Sequence, residues 1–391
     1  MSPKRLSLLT SLLARPTAPF RESHVVDFVA RTLAAHGVPH FVDPVGNVVV
    51  GCASRTGYLR LVRDAAAGTL PVFIAHMDHP GFHGVRWVSA TRLRVKWHGG
   101  SPVNRLVGAP VWLARDGAGF VAEGRITKAA LARSRRALDT AEVVVRESHW
   151  QGRRPEATDL YGGFHFRAPV WQSGKRLYTK AADDLVGVFA ILATAIDAWA
   201  RRRAAPFLGL LTRAEEVGFV GAIGHLELGW LRSARRPVVC VSLETSRTLP
   251  GALIGKGPVV RLGDRRTVFA PDPLDVLARV ATRVLPDRHQ RRVMDGGTCE
   301  ATAATVYGLD AIGISVPLGN YHNQGFEGGP DSRGNQGPAP EFVYLDDVDG
   351  LLALCRALVR PDMDWGAAWA TERRAYGKRL REHRRLLHLP R

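Results

Sequence analysis

The sequence predicts an α/β fold: a mostly parallel sheet sandwiched by helices, with a small all-β barrel domain inserted into it. Three observations predict this. Short, continuously apolar runs recur along the chain ("PVFIA", "FLGLLT", "PVVCVSLE", "AIGISVP"), as expected of strands buried on both faces. Helical stretches separate them, the pattern of a parallel sheet covered on both sides. Between residues 84 and 176 this texture gives way to short alternating runs joined by tight turns.

The opening segment "MSPKRLSLLTSLLARPTAPF" has Lys4 and Arg5 ahead of an apolar stretch, as a signal peptide does. Its Leu6, Leu9, Leu12 and Leu13 nevertheless fall at helical spacing, so a folded helix is expected rather than a cleaved leader. "ESHVVDFVARTLAAHG" puts Val25, Val26, Phe28, Val29 and Leu33 on one helical face and ends at Gly37. "HFVDPVGNVVVG" reads as two short strands bent at Gly46-Asn47, and "LPVFIAHMDH" as a third, buried strand. In the next region "TRLRVKWHG", "APVWLARDGAGFVAEGRI", "AEVVVRES" and "APVWQSGKRLYT" supply the alternating strands, with turns at Asp116-Gly117 and Ser173-Gly174. The α/β texture returns at "DDLVGVFAILATAIDAWA", where Leu185, Val188, Phe189, Leu192, Ala195, Ile196 and Trp199 form an apolar stripe behind an Asp cap. Residues 323 to 341 are rich in Gly and Pro and read as a loop. The expected organisation is an α/β domain in two parts, 1–83 and 177–365, around a barrel at 84–176, with a basic tail at 366–391.

At 46% hydrophobic and 23% charged residues the composition is that of a globular protein able to bury a core. No apolar run approaches the roughly 18–20 residues that cross a bilayer. The cysteines, Cys52, Cys240, Cys299 and Cys355, show no paired spacing for zinc or a disulfide framework, so reduced thiols and a cytoplasmic location are expected. The net charge of +18 favours acidic partners. Much of it lies in "TERRAYGKRLREHRRLLHLPR", where Leu380, Leu386 and Leu387 interrupt the arginines. A solvated tail or an oligomer contact is the expected role, with nucleic-acid binding as the alternative.

In open α/β sheets ligands lie beyond the carboxyl ends of the strands. There "PVFIA" delivers His76 and Asp78, "FLGLLTRA" delivers Glu215 and Glu216, "VVCVSL" delivers Glu244, and "AIGISVPLGNY" delivers His322. The helix opening at Asp183-Asp184 points toward the same rim. Each residue alone has an ordinary reading, as a structural histidine, a helix cap or a solvated acid. Their coincidence at element ends asks for a cation, because crowded carboxylates repel. Imidazole and carboxylate ligands without paired thiols suit zinc, cobalt or manganese. They are enough for two ions about 3.5–4 Å apart that share a carboxylate. One of the adjacent glutamates can bind metal while the other stays free as a general base. Asp78 is placed to hydrogen-bond the second nitrogen of His76 and fix its tautomer.

The motifs "HMDHPGF", "KAADDLVG", "AEEVGFVGA", "GKGP", "GGTCEATA" and "VPLGNYHN", in that order, resemble the glutamyl aminopeptidase (tetrahedral aminopeptidase) branch of the di-zinc metallopeptidases, up to about residue 360. The position of the β insertion matches that branch as well. The resemblance implies one metal on His76, Asp183 and Glu244, a second on Asp183, Glu216 and His322, and Glu215 as base and proton shuttle. It also implies removal of N-terminal residues from short peptides and assembly into dimers or a dodecameric shell. The chain departs from the pattern at His79-Pro80 (usually Glu-Ile), Leu185 (commonly Arg), Glu244 (usually Asp) and Cys299 (usually Asp). Glu244 motivates a second expectation, an amidohydrolase acting on N-acyl amino acids or peptide C-termini. The third is a binding or scaffold protein without catalysis.

Overall fold

A mixed eight-stranded sheet lies at the centre of the computed structural model, which describes residues 1–150, 152–201, 206–366 and 368–387. Across the sheet the strands run in the order His40–Val42, Val48–Val50, Leu208–Thr212, Leu70–His76, Val238–Arg247, Asp310–Leu318, Val259–Asp264 and Gln290–Met294. The middle four, from Leu208–Thr212 to Asp310–Leu318, pair in parallel, and the strands next to them on either side join antiparallel. Thr212 sits beside His76 in the register, so those two strands end at one level.

Side chains alternate along each central strand between two separate cores, as period-two geometry requires. Phe73, Ala75, Val239 and Val241 enter one core, with the helices Pro3–Leu13, Ser23–Ala35, Leu185–Arg201 and Leu345–Leu358. Val72, Ile74, Val238 and Cys240 enter the other, with Arg55–Arg63, Val220–Glu227 and Glu300–Val306. Helix Leu185–Arg201 is buried all round its first three turns instead of along a single stripe. It lies between the sheet and the helices Pro3–Leu13 and Leu345–Leu358. Asp184 caps it, its Oδ1 accepting from the Gly187 amide at 3.1 Å.

The inserted domain is a closed barrel of the strands Gly81–Trp87, Arg92–His98, Leu138–Ser148, Gly119–Leu131, Pro110–Arg115 and Leu160–Phe164. It begins before residue 84 and ends before 176. Gly81 opens the first barrel strand at a place where another backbone passes close by. A Cβ there would lie 2.6 Å from the Gly162 carbonyl oxygen. The last two strands expected in the barrel, Val170–Ser173 and Arg176–Thr179, form a hairpin that pairs with Glu341–Tyr344 in a separate sheet. All four cysteines are buried and unpaired. Among the described residues no helix is long and apolar enough to cross a membrane. The basic tail forms the helix Ala370–His383 with Leu380, Leu386 and Leu387 exposed, and residues 388–391 of that run lie outside the described residues.

The bend between the first two strands is tied to the segment carrying Glu215 and Glu216. Asp43 accepts from the amides of Val45 (2.8 Å) and Asn47 (2.9 Å), from Asn47 Nδ2 (2.8 Å) and from His225 Nδ1 (2.8 Å). Asn47 then donates to the Gly221 carbonyl at 3.0 Å and accepts from the Arg213 amide at 3.2 Å. Burial pushes the Asp43 carboxyl up, but His225 and Asn47 outweigh it and hold it below the usual carboxylate range. Asp43→Ala should therefore cost roughly 3–5 kcal/mol, the usual cost of leaving one partner of a buried pair alone. A folded pKa below the unfolded one means this stability is complete above the unfolded value of about 3.9 and lost as pH falls through the folded value. Urea unfolding should accordingly show the gap between wild type and variant narrowing below about pH 4.

Candidate metal centre

The ends of Leu70–His76 and Leu208–Thr212, together with Glu244, which lies inside the strand Val238–Arg247 rather than at its end, bring the sequence-selected side chains into a single largely buried cluster. His76, Asp183 and Glu244 each offer a ligand atom within 4.8 Å of the others, and so do Asp183, Glu216 and His322. Asp183 belongs to both groups. Its Oδ1 lies 3.5 Å from His76 Nε2 and its Oδ2 3.5 Å from His322 Nε2, one oxygen toward each imidazole. His76, Glu215 and Glu216 form a third such group.

The local chain fixes these directions. Glu215 and Glu216 lie in a short 3₁₀ turn entered through Ala214 in the left-handed region (φ 52°). Their amides donate to the Asp78 carboxylate, at 2.9 Å from Glu215 and 3.1 Å from Glu216. The two side chains then diverge: Glu215 Oε2 lies 3.8 Å from His76 Nε2, and Glu216 Oε2 lies 3.1 Å from His322 Nε2. The Asp78 carboxylate reaches within 3.6 Å of His76 Nδ1, while its backbone carbonyl is nearer, at 3.1 Å. Asp78 thus touches both the imidazole and the backbone of the glutamate pair.

Three residues not selected from the sequence complete the surroundings. Glu341, fully buried, accepts from the amides of Ala182 (2.7 Å), Asp183 (3.2 Å) and His322 (2.8 Å), so one carboxylate holds the backbone under two of the clustered residues. Thr245 donates to Asp183 Oδ1 at 3.1 Å. Glu300 is buried and accepts from the Thr212 hydroxyl. Glu341 closes the Gly/Pro-rich loop at the start of a strand, so a search for strand carboxyl ends passes over it. An acid abutting the apolar "FVY" was the available signal. His79, where the sequence departs from the family pattern, is buried with both ring nitrogens engaged. Its Nδ1 meets the Asp183 carbonyl at 2.9 Å and its Nε2 meets Asn323 Oδ1 at 3.2 Å. Burial lowers its pKa to about 4.

The electrostatics of the cluster call for positive charge. Burial pushes Glu215 well above the ordinary carboxyl range, with Glu216, Glu244 and Glu300 adding to it. Burial likewise raises Glu216, and it brings Glu244 up to about 7. Burial alone would keep His76 neutral, but Glu215, Asp183 and Asp78 overcome it and raise its pKa well above 6.5. His322 behaves the same way, through Glu216 and Asp183. Asp183 is held low despite its burial, by His322 and His76. His322 Nε2 and Glu216 Oε1 are buried with no hydrogen-bond partner. Buried polar atoms are normally satisfied, and the donor set fits a divalent cation, which would satisfy both atoms and offset the crowded charge.

Beside the cluster lies a cavity of about 200 Å³, lined by Glu244, Arg247, Arg261, Tyr321 and Phe326 among others. A larger cleft of about 670 Å³, between the helices Pro3–Leu13 and Ser23–Ala35, contains none of the clustered residues.

Comparison with known proteins identifies the family and the fold. The family model described as M42 glutamyl aminopeptidase matches residues 62–325. Aminopeptidase APDkam598 from the archaeon Desulfurococcus kamchatkensis superposes with a TM-score of 0.70 at 22% identity, covering 93% of this chain and 96% of that one. The Pyrococcus horikoshii TET1 peptidase, described as assembling into a tetrahedron or a large octahedral shell, gives 0.69 at 19% identity over 91% and 99%. A TET aminopeptidase from a marine sediment archaeon of the Thaumarchaeota gives 0.70 at 17% identity over 92% and 98%. At these identities the structures share the fold. A search of curated proteins gives no match to the chain.

Proposed function

This chain belongs to the M42 glutamyl aminopeptidase family of metal-dependent aminopeptidases, and we propose that it removes N-terminal residues, acidic ones in preference, from short peptides. The observation that carries the two-metal reading is Asp183, with one carboxylate oxygen facing His76 and the other facing His322. His76 and Glu244 would hold one ion with Asp183, and Glu216 and His322 the other. Two divalent ions, zinc by preference and cobalt or manganese as alternatives, would supply Lewis acidity toward the scissile carbonyl and lower the pKa of the attacking water.

Glu215 stands outside both Asp183 groups and is the more accessible glutamate of the pair, with 11% of its side chain exposed against 4% for Glu216. It takes the proton of the attacking water and delivers it to the nitrogen of the departing peptide. Asp78 keeps the glutamate backbone and the His76 ring in place.

The cavity beside Glu244 would take the N-terminal side chain. Arg261 is buried, with Nη1 4.0 Å from Glu244, and the Arg247 guanidinium lies 4.0 Å from the centre of the Phe326 ring. Two guanidinium groups on a small cavity favour a carboxylate-bearing side chain. By likeness to the TET peptidases the working form is a homo-oligomer.

A substrate panel on metal-loaded protein tests this reading. Glutamyl and aspartyl substrates should exceed leucyl and lysyl ones by at least about tenfold in kcat/KM, a difference of about 1.4 kcal/mol. Preferential cleavage of N-acyl amino acids, which Glu244 motivates, would replace the aminopeptidase reading with a deacylase one. Cleavage of nothing in the panel would overturn both.

A further inference from the structure

The barrel comes directly against the metal centre where strand Arg92–His98 runs into Gly99-Gly100. A Cβ on Gly100 would fall well inside van der Waals contact of His322 Nδ1, 2.8 Å from Cε1 and 3.0 Å from Cγ of the same ring. A Cβ on Gly99, whose φ is +84°, would lie 3.3 Å from Glu216 Cβ and 3.1 Å from Pro80. The backbone of this short loop therefore lies directly against two clustered residues, and glycine is what allows the approach. Both residues belong to the same proposed metal position. None of the nearest atoms around either glycine comes from His76 or Glu244.

The loop is held from the barrel side. Trp97 Nε1 donates to the Gly100 carbonyl at 2.9 Å, and the Leu138 amide donates to Ser101 Oγ at 2.6 Å. Trp97 is only 4% exposed and packs 5.0 Å from Phe164, ring centre to ring centre, inside the barrel core. From the opposite domain Tyr321 stacks on the His322 ring at 3.7 Å, and Glu341 holds the His322 amide. The imidazole is thus clasped between two domains, with its Nε2 left free of hydrogen bonds.

Resting on the two-metal reading above, we infer that the inserted barrel is a positioning part of the metal centre, and of one metal position only. Through Gly99-Gly100 it seats His322 and Glu216, so disturbing the loop weakens the ion held by Asp183, Glu216 and His322. The ion held by His76, Asp183 and Glu244 keeps its affinity. Trp97 is the strut that carries this effect from the barrel core.

Cobalt(II) titration of the full-length protein, followed by calorimetry and by the visible spectrum of the bound ion, tests the inference independently of activity. Wild type should take two equivalents. Gly100→Ala should bind the first at wild-type affinity and the second roughly 10–100-fold more weakly, the usual effect of losing support around a metal ligand. Trp97→Phe, which deletes only the bond to the Gly100 carbonyl and part of a ring, should shift the second affinity in the same direction by a smaller factor. Two wild-type affinities in Gly100→Ala, or parallel loss of both, would overturn the inference. If Gly100→Ala does not fold, an unchanged second affinity in Trp97→Phe overturns it. A wild type that takes only one ion would instead bring down the two-metal reading itself.

Discussion

Replacing Glu215 with glutamine should lower kcat by about 10²–10⁴-fold, the usual contribution of a positioned base, while the bound metal stays at its wild-type amount. The reasoning starts from the divergence of the two glutamates. Asp78 grips the amides of both, yet Glu216 points to His322 while Glu215 reaches toward His76 and lies outside the two groups that share Asp183. Glutamine keeps the size and the single contact near His76 but cannot accept and return a proton. Steady-state kinetics with metal analysis on the same sample checks this. A variant within tenfold of wild type would remove Glu215 from the proton path, and one that loses metal would make it a ligand.

Asp183→Ala should have the larger consequence, because two ions would lose a ligand in one step. Activity should fall by about a thousandfold or more, since metal-ion stabilisation amounts to several kcal/mol and each 1.36 kcal/mol is a factor of ten. Elemental analysis should show fewer than two ions per chain. Asp183 is buried between His76 and His322 and is held ionised by both. Its removal leaves two imidazoles, Glu216 and Glu244 without a common centre. Full retention of two ions would show that the carboxylate does not bridge.

The sheet and the rim were legible in the sequence for one physical reason. A strand buried on both faces must be apolar throughout, so the first His, Asp or Glu after it marks where the strand leaves the core. His76 and Glu215 stand at or just past such ends, whereas Glu244 interrupts the apolar run inside a strand that continues to Arg247. His322 and Asp183 were found because the same logic applies to the segment after "AIGISVP" and to the start of a buried helix. The rule is blind at the opposite end of a strand, where Glu341 stands, and it passes over Glu300, a buried acid that opens a short helix after a loop. It is blind also to backbone proximity. Gly81 and Gly100 carry no side chain to signal that another atom occupies the space where one would be, so the start of the barrel and its reach into the rim are properties of the folded chain alone. The hairpin at 170–179 has the alternation of a barrel strand, and only its pairing with Glu341–Tyr344 shows that it belongs elsewhere.

The alternation of Phe73 and Ala75 into one core with Val72 and Ile74 into the other has a consequence for how such a molecule changes over time. A sheet with helices on both faces acts as a partition between two reservoirs of permissible substitution. Each side can exchange volume among its own residues without consulting the other, because interiors tolerate replacement when total volume and pattern are kept. What neither side can alter alone is the level at which Leu70–His76 and Leu208–Thr212 stop. Identities of 17–22% with structures of the same fold are what a partitioned interior permits, and the shared end of those two strands is the quantity both halves hold in common.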